Sequence, residues 1–258
     1  MKNGIVTRGL AWLGYGFLLS PLVLVSVMSF SADRYLTFPP SGWSFHWYGA
    51  LAANGPILLA TQVSATLAAI VTVIALLAGV PAALAISRRL VPETVSLFIL
   101  SPMLLPTLVI GLGLLMTLQP LHLVATWSGL ALAHLVVVLP FVVRVMTASL
   151  ASLPAEVEAA ATTLGASPLR VFCFITLPLA APGALAAAAL AFLISFDETV
   201  ITLFLAGPRL TTLPIALFHY AETRADPLIA ALAVALIAFT VLVVLLVDRL
   251  VGFSKVFK

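Results

Sequence analysis

The chain has 258 residues, 63% of them hydrophobic and only 8% charged, with 12 Lys+Arg against 9 Asp+Glu and a net charge of +3. Soluble domains run near about 45–50% apolar and about 25% charged, and one globular core could not hide this much apolar surface. The composition excludes an ordinary soluble enzyme, a disordered chain and, with Cys173 as the only cysteine, a disulfide scaffold or a Cys-based metal site.

A spanning helix needs about 20 mostly apolar residues. Six segments qualify, and six transmembrane helices in one domain, residues 1–258, are therefore expected. The first, Leu10–Phe30, follows Lys2 and Arg8 and holds 21 uncharged residues. That exceeds the roughly 7–15 residues of a signal-peptide core, so it reads as a retained span, with a cleaved signal as the alternative. Next comes the long loop Ser31–Pro56, where Trp43, Phe45, His46, Trp47 and Tyr48 cluster. Such rings prefer the headgroup level; a docking surface for an outside partner is the other reading.

The second span, Ile57–Ile86, is longer than a bilayer requires and should tilt or project. The third, Val95–Leu118, holds Pro102 and Pro106 near its start, which suggests a kink or an interrupted entry. The fourth is Val124–Val143, the fifth Ala180–Leu205 and the sixth Leu228–Val247. Small residues line the fifth (Gly183, Ala184, Ala187, Ala191) and the second (Ser64, Ala65, Ala68, Ala69), as close helix packing in lipid demands. Strands are disfavoured, since no run alternates with period two.

The charges orient the spans. With the N-terminus in the cytoplasm, the inside set is Lys2, Arg8, Arg88, Arg89, Arg144, Arg170, Arg249, Lys255 and Lys258, and the outside set is Arg34, Arg209 and Arg224. This positive-inside bias puts both termini in the cytoplasm.

The inner loop Thr147–Leu179 should be structured. Pro154 fits the first turn of a helix through Glu156, Glu158 and Ala159–Ala161 to Leu164, with Gly165 as its stop. Ser167 and Pro168 then open a second helix through Arg170 to Ile175, before Pro178 marks the next span. A structured, apolar inner loop needs something to pack against.

Asp197, followed by Glu198, lies 17 residues beyond Ala180, about 25 Å along a helix. Acids at that depth should face a cavity or a partner rather than lipid. Adjacent residues point about 100° apart, so one would face the pathway while the other braces a neighbour. Ending the helix in the wet interface, or pairing with Arg209, is the bland alternative. The histidines, His134 among them, read as packed or interfacial residues, and no phosphate-binding loop, metal-ligand spacing or catalytic constellation occurs. No basic run points to nucleic acid.

The inner loop also carries a resemblance. Gly165, nine residues, Ile175, one residue and Leu177-Pro178 resemble the second half of the cytoplasmic signature of bacterial ABC-importer permeases, E-A-A, three residues, G, nine residues, I-x-L-P. The first half departs: the Glu position holds Ala159, Ala160-Ala161 follow, and the acid is Glu158, one place earlier. Phe38-Pro39-Pro40-Ser41-Gly42 with Trp47-Tyr48, Ser195-Phe196-Asp197-Glu198 with Val200, Thr202-Leu203-Phe204 and Gly207-Pro208, and Thr212-Leu213-Pro214 are similar to spermidine/putrescine-type permeases, over nearly the whole chain.

The resemblance implies the all-α type I ABC-importer permease fold in the bacterial inner membrane. The implied partners are a second homologous permease, two ATP-binding subunits and a soluble substrate-binding protein outside. ATP and Mg would be used by the partner ATPase, with no cofactor held by this chain. The implied coupling residues are Glu158, Ala159, Ala160, Ala161, Gly165, Ile175, Leu177 and Pro178, with Glu158 partly replacing the missing carboxylate; otherwise Glu158 sits on a solvated helix face. The implied outer gate is Ser195, Phe196, Asp197 and Glu198. A polyamine is the implied solute, with aminobutyrate, opine or phosphonate permeases showing the same pattern. A stand-alone secondary transporter is the rival reading; it would show paired inverted repeats and midplane charges, and no convincing repeat is seen.

Overall fold

Long apolar runs leave the backbone no water to bond with, so they must satisfy it internally as helix. The computed structural model, which describes residues 3–208 and 210–251, follows that rule. Among the described residues every regular element is helical, apart from an isolated bridge between Ser31 and Trp43. Lys2, Lys255 and Lys258 of the charge tally, and Arg209, lie outside the described residues.

Five helices are long and apolar enough to cross a membrane. They are Thr7–Ser29 within α1 (Asn3–Ser29), α3 (Gly55–Ser87), α6 (Trp127–Ala151), the run Pro168–Phe196 and Leu228–Arg249 within α12 (Leu228–Val251). The sixth expected span is a broken one. α4 (Glu93–Leu100) runs into a 3-10 turn, Ser101–Leu104, and α5 (Thr107–Leu118) leaves it bent by 104°. Pro102 lies in the turn and Pro106 stands at the N-cap of α5, each unable to donate a helical hydrogen bond. At 12 residues, α5 is about 18 Å long, well short of a bilayer core of about 30 Å.

Two further boundaries differ from the sequence reading. The fourth span continues eight residues past Val143, so Arg144 lies within α6 and the inner loop starts only after Ala151. The fifth span does not run unbroken to Leu205. It stops at Phe196, and a separate helix, Val200–Leu205, follows.

The described residues form two compact units, one within residues 1–58 with 217–241 and the other within residues 59–216 with 242–258. In the first, Asp33 organises the loop after α1: its carboxylate accepts hydrogen bonds from Ser31, Thr37 and the backbone and side chain of Ser41. The Ser41 bonds, side chain and then backbone, hold its carboxyl down at about 2. The short helix α2 (His46–Ala52) follows, with Phe30, Phe45 and Tyr48 clustered edge-on or tilted and the Tyr48 hydroxyl donating to Ser29 at 2.8 Å. The aromatic run therefore divides. Trp43 and Phe45 stay exposed while Trp47 and Tyr48 turn partly inward.

In the second unit α6 is the central helix. Its residues Leu130, Val138, Val142, Met146 and Leu150 are buried with Leu67 and Val71 of α3, Ala187 and Ala191 of α9 (Leu177–Phe196) and Ile201 and Leu205 of α10 (Val200–Leu205). Small residues set the approach distances. A Cβ on Gly183 would lie 2.1 Å from Ser149 Oγ, one on Gly79 2.7 Å from Val142 and one on Gly111 2.7 Å from Phe204. Lipid tails are as apolar as leucine, so such close backbone packing supplies the association that hydrophobicity supplies in water.

Candidate functional site

Two clusters in the second unit carry the chemistry, at opposite ends of α9. The first is the segment before it. α7 (Ala155–Thr163) is followed by Gly165 at φ +83°, a conformation that favours glycine. Ala166 N donates to Ala161 O and Gly165 N to Thr162 O, the double closure of a Schellman stop. α8 (Pro168–Val171) starts after Ser167, with Pro168 at its first position as expected. It then passes through one π-helical turn, Phe172–Thr176, straight into α9, so Pro178 falls in the first turn of a continuing helix and starts no new element.

Glu158 is neither on a solvated face nor free. Its Oε1 accepts from Arg88 Nη2 at 2.7 Å and from Thr176 Oγ1 at 2.8 Å, which ties α7 to the end of α3 and to the π turn. Burial pushes the Glu158 carboxyl up, but the Arg88 and Thr176 hydrogen bonds and the Arg88 charge outweigh it and hold the carboxyl below its ordinary value. The other residues of the signature stay at the surface. Ala159, Ala160, Gly165, Leu177 and Pro178 are exposed, and Ala161 and Ile175 are half-buried. Around them Leu164, Leu169 and Phe174 are exposed at 89%, 71% and 77%, an apolar surface that none of the described residues covers.

The second cluster is the elbow between α9 and α10. Asp197 caps α9, its N–H donating to Leu193 O, and three residues later α10 begins. The two acids take different roles. Glu198 Oε1 accepts from Ile201 N at 3.0 Å, satisfying a first-turn donor of α10. The Asp197 carboxylate is exposed and, among the described residues, has no hydrogen-bond or ion-pair partner. Ser195 and Phe196 are buried: Phe196 stacks on Phe192, and Ser195 Oγ lies 2.9 Å from His134 Nδ1.

His134, on α6, is fully buried, and its Nε2 lies 2.9 Å from Thr202 Oγ1 of α10. By sequence it is one packed or interfacial histidine among four. Nothing in its spacing shows that Ser195 and Thr202, 61 and 68 residues away, meet its two nitrogens. Arg88 was likewise legible only as a topology charge, and Thr176 only as the unspecified residue of I-x-L-P. Among the described residues no group of three or more His, Cys, Asp or Glu could hold a metal ion.

Residues 72–254 match the family described as binding-protein-dependent transport system inner membrane component. The chain belongs to this family. It is 33% identical over 230 residues to the putrescine transport system permease protein PotI of Escherichia coli (strain K12), covering 86% of this chain and 82% of that one. The spermidine/putrescine transport system permease protein PotC of Haemophilus influenzae is 30% identical, over 95% of this chain and 96% of that one. A putative 2-aminoethylphosphonate transport system permease protein, PhnV of Salmonella typhimurium, is 31% identical over 91% and 89%. In structure the chain resembles a bacterial ABC transporter involved in the import of alginate, with a TM-score of 0.74, 18% identity and 95% of each chain covered. That likeness concerns the fold. This permease is thus a helical subunit of an ABC importer with the type I fold.

Proposed function

We propose that this permease, with a second related permease, forms the inner-membrane pathway for a small cationic solute of the putrescine or spermidine class. The observation that carries the reading is Asp197. A carboxylate with no partner among the described residues, at a helix break in an apolar chain, is costly against lipid, and non-helical backbone at membrane depth is tolerated where it lines a cavity or is buried in protein. A negative charge there attracts an amine cation. Similarity to the putrescine and spermidine/putrescine permeases supports the same substrate class.

The positive-inside bias supports cytoplasmic termini, and hence the surface segment around Gly165 on the cytoplasmic side and Asp197 toward the outside. There the exposed Leu164, Leu169 and Phe174 would be covered by one of two ATP-binding subunits, which use ATP and Mg; a soluble binding protein would deliver the solute from outside. ATP binding would draw the two surface segments together, and the spans would exchange inward- for outward-facing states. Arg88 holds Glu158, so coupling would rest on the apolar surface and the Gly165 stop rather than on a free carboxylate.

The test is uptake of labelled putrescine by the reconstituted complex. Asp197→Asn is expected to raise KM about tenfold, equivalent to about 1.4 kcal/mol; unchanged uptake removes the electrostatic reading. The similarity to PhnV favours a second reading, an aminophosphonate. A complex that takes up 2-aminoethylphosphonate in preference to putrescine, and gains from Asp197→Asn, would establish it.

A further inference from the structure

We infer that His134 is a positioning residue for the solute-facing elbow: it bonds to both limbs of the α9–α10 break and so fixes where the Asp197 carboxylate points. The inference rests on the pathway reading of Asp197. Ser195 lies two residues before Asp197 and Thr202 five after it, and both hydroxyls meet the same imidazole at 2.9 Å. Between them Asp197, Glu198 and Thr199 lie outside any helix, where Asp197 N donates back to Leu193 O of α9 at 3.1 Å and Thr199 O accepts from Leu203 N of α10 at 2.9 Å, and neither bond joins one limb to the other. Thr199 Oγ1 donates to Asp197 O at 3.2 Å, and Glu198 is committed to the cap of α10.

The hydrogen bonds fix the direction of the chain. The single Thr202 hydroxyl proton donates to Glu198 O at 2.8 Å. Thr202 Oγ1 therefore accepts from His134, which places the imidazole proton on Nε2. In the neutral ring Nδ1 is then an acceptor, and Ser195 donates to it. The path runs Ser195 to His134 to Thr202 to the carbonyl of Glu198, so the imidazole reaches the elbow backbone one residue from Asp197. α10 is backed on another side by α5, where Phe204 lies against Gly111, which leaves little slack to absorb a lost contact. A histidine with both nitrogens in use and no exposure links α6 to both α9 and α10. An aliphatic residue could fill the volume but could not hold both limbs.

The test uses the full reconstituted complex and two readouts. In putrescine uptake, His134→Phe and Thr202→Val are expected to raise KM about tenfold, the scale of a lost buried hydrogen bond with a partner left unsatisfied, with Vmax per assembled complex within about twofold. Thr202→Ser keeps the hydroxyl and is expected to match the unaltered protein. In an Asp197→Asn background His134→Phe is expected to add less than about twofold, because the charge it positions is gone.

The second readout is independent of the solute. In a Cys173→Ser background, the rate at which Asp197→Cys reacts with a membrane-impermeant cationic thiol reagent is expected to change about tenfold with His134→Phe or Thr202→Val, and not with Thr202→Ser. An equal KM effect of His134→Phe with and without Asp197, or an unchanged thiol rate, overturns the positioning role. An Asp197→Asn variant with unchanged KM overturns the pathway reading itself, and the thiol rate then still decides whether His134 sets the elbow. If His134→Phe does not assemble, the Thr202→Val and Thr202→Ser pair makes the same comparison.

Discussion

Gly183 gives the sharpest measure of how closely α6 and α9 are packed. In Gly183→Ala the new Cβ would sit 2.1 Å from Ser149 Oγ and 2.4 Å from Ser149 Cβ, where ordinary contact starts at 3.4 Å. Rotating the serine hydroxyl away leaves the Cβ clash, so the helices must part by about 1 Å. A gap of about that size forfeits a quarter to a half of the dispersion at each contact, and overpacking of this kind costs about 1–3 kcal/mol. The better helix propensity of alanine returns up to about 1 kcal/mol. A Cβ–Cβ approach of 2.4 Å belongs in the upper part of that range, about 2–3 kcal/mol, so the net cost is about 1–2 kcal/mol, a fall in melting temperature of about 2–8 °C for a chain of this size, read on the purified complex by thermal unfolding in detergent. Removing the Ser149 side chain should reverse the sign. In a Ser149→Gly background the nearest Ser149 atom is the Cα at 3.9 Å, so Gly183→Ala becomes neutral or stabilising. Ser149→Ala keeps the Cβ and should not rescue. A Gly183→Ala protein that melts with the parent, or an equal penalty in both backgrounds, would refute the close-packing argument.

Three other outcomes follow from the two clusters. Gly165 has open space around it but a φ of +83°, so Gly165→Val meets backbone strain rather than a clash, about 1–2 kcal/mol localised to the α7 stop; the complex should remain in the membrane while ATP-dependent uptake falls, and full coupled uptake would remove the role given to this stop. The lowered Glu158 carboxyl means its ionic tie is fully present above the ordinary value of 4.5 and is lost as pH falls through the lower folded-state value; proteolytic protection of residues 152–176 should fail in that acid range, and an identical acid response in Glu158→Gln would show that another group is responsible. Glu198→Gln retains an oxygen to accept from Ile201 N and should leave KM within about twofold, whereas Glu198→Leu should destabilise by about 1 kcal/mol, the worth of a cap; equal KM losses for Glu198→Gln and Asp197→Asn would contradict the division between the two acids.

That division has a geometric origin. Residues on one helix differ by about 100° per step, but a helix break separates its acids further, because the side chain of one of them caps the next helix. The Glu198 side chain is drawn to the first turn of α10 by unsatisfied N–H groups, leaving the Asp197 carboxylate at the exposed side of the elbow. The same logic explains Glu158. Displaced by one position from the family pattern, it turns toward Arg88 and Thr176 in its own chain.

The membrane class, the helical content and the approximate span order were determined by the sequence alone, because about 20 apolar residues without charge admit one backbone solution in lipid. The Gly165 stop and the Ser167-Pro168 start were legible too, since caps depend on residues within one turn of each other. The tertiary structure alone decided the 104° break after α4, the end of α9 at Phe196, the pairing of Glu158 with Arg88 across 70 residues and the meeting of His134 with Ser195 and Thr202. Each of these depends on which faces of separate helices are pressed together. In a chain this uniformly apolar, periodicity carries almost no information about faces. The partners of a buried polar group are therefore set by packing and become visible only once the helices are assembled.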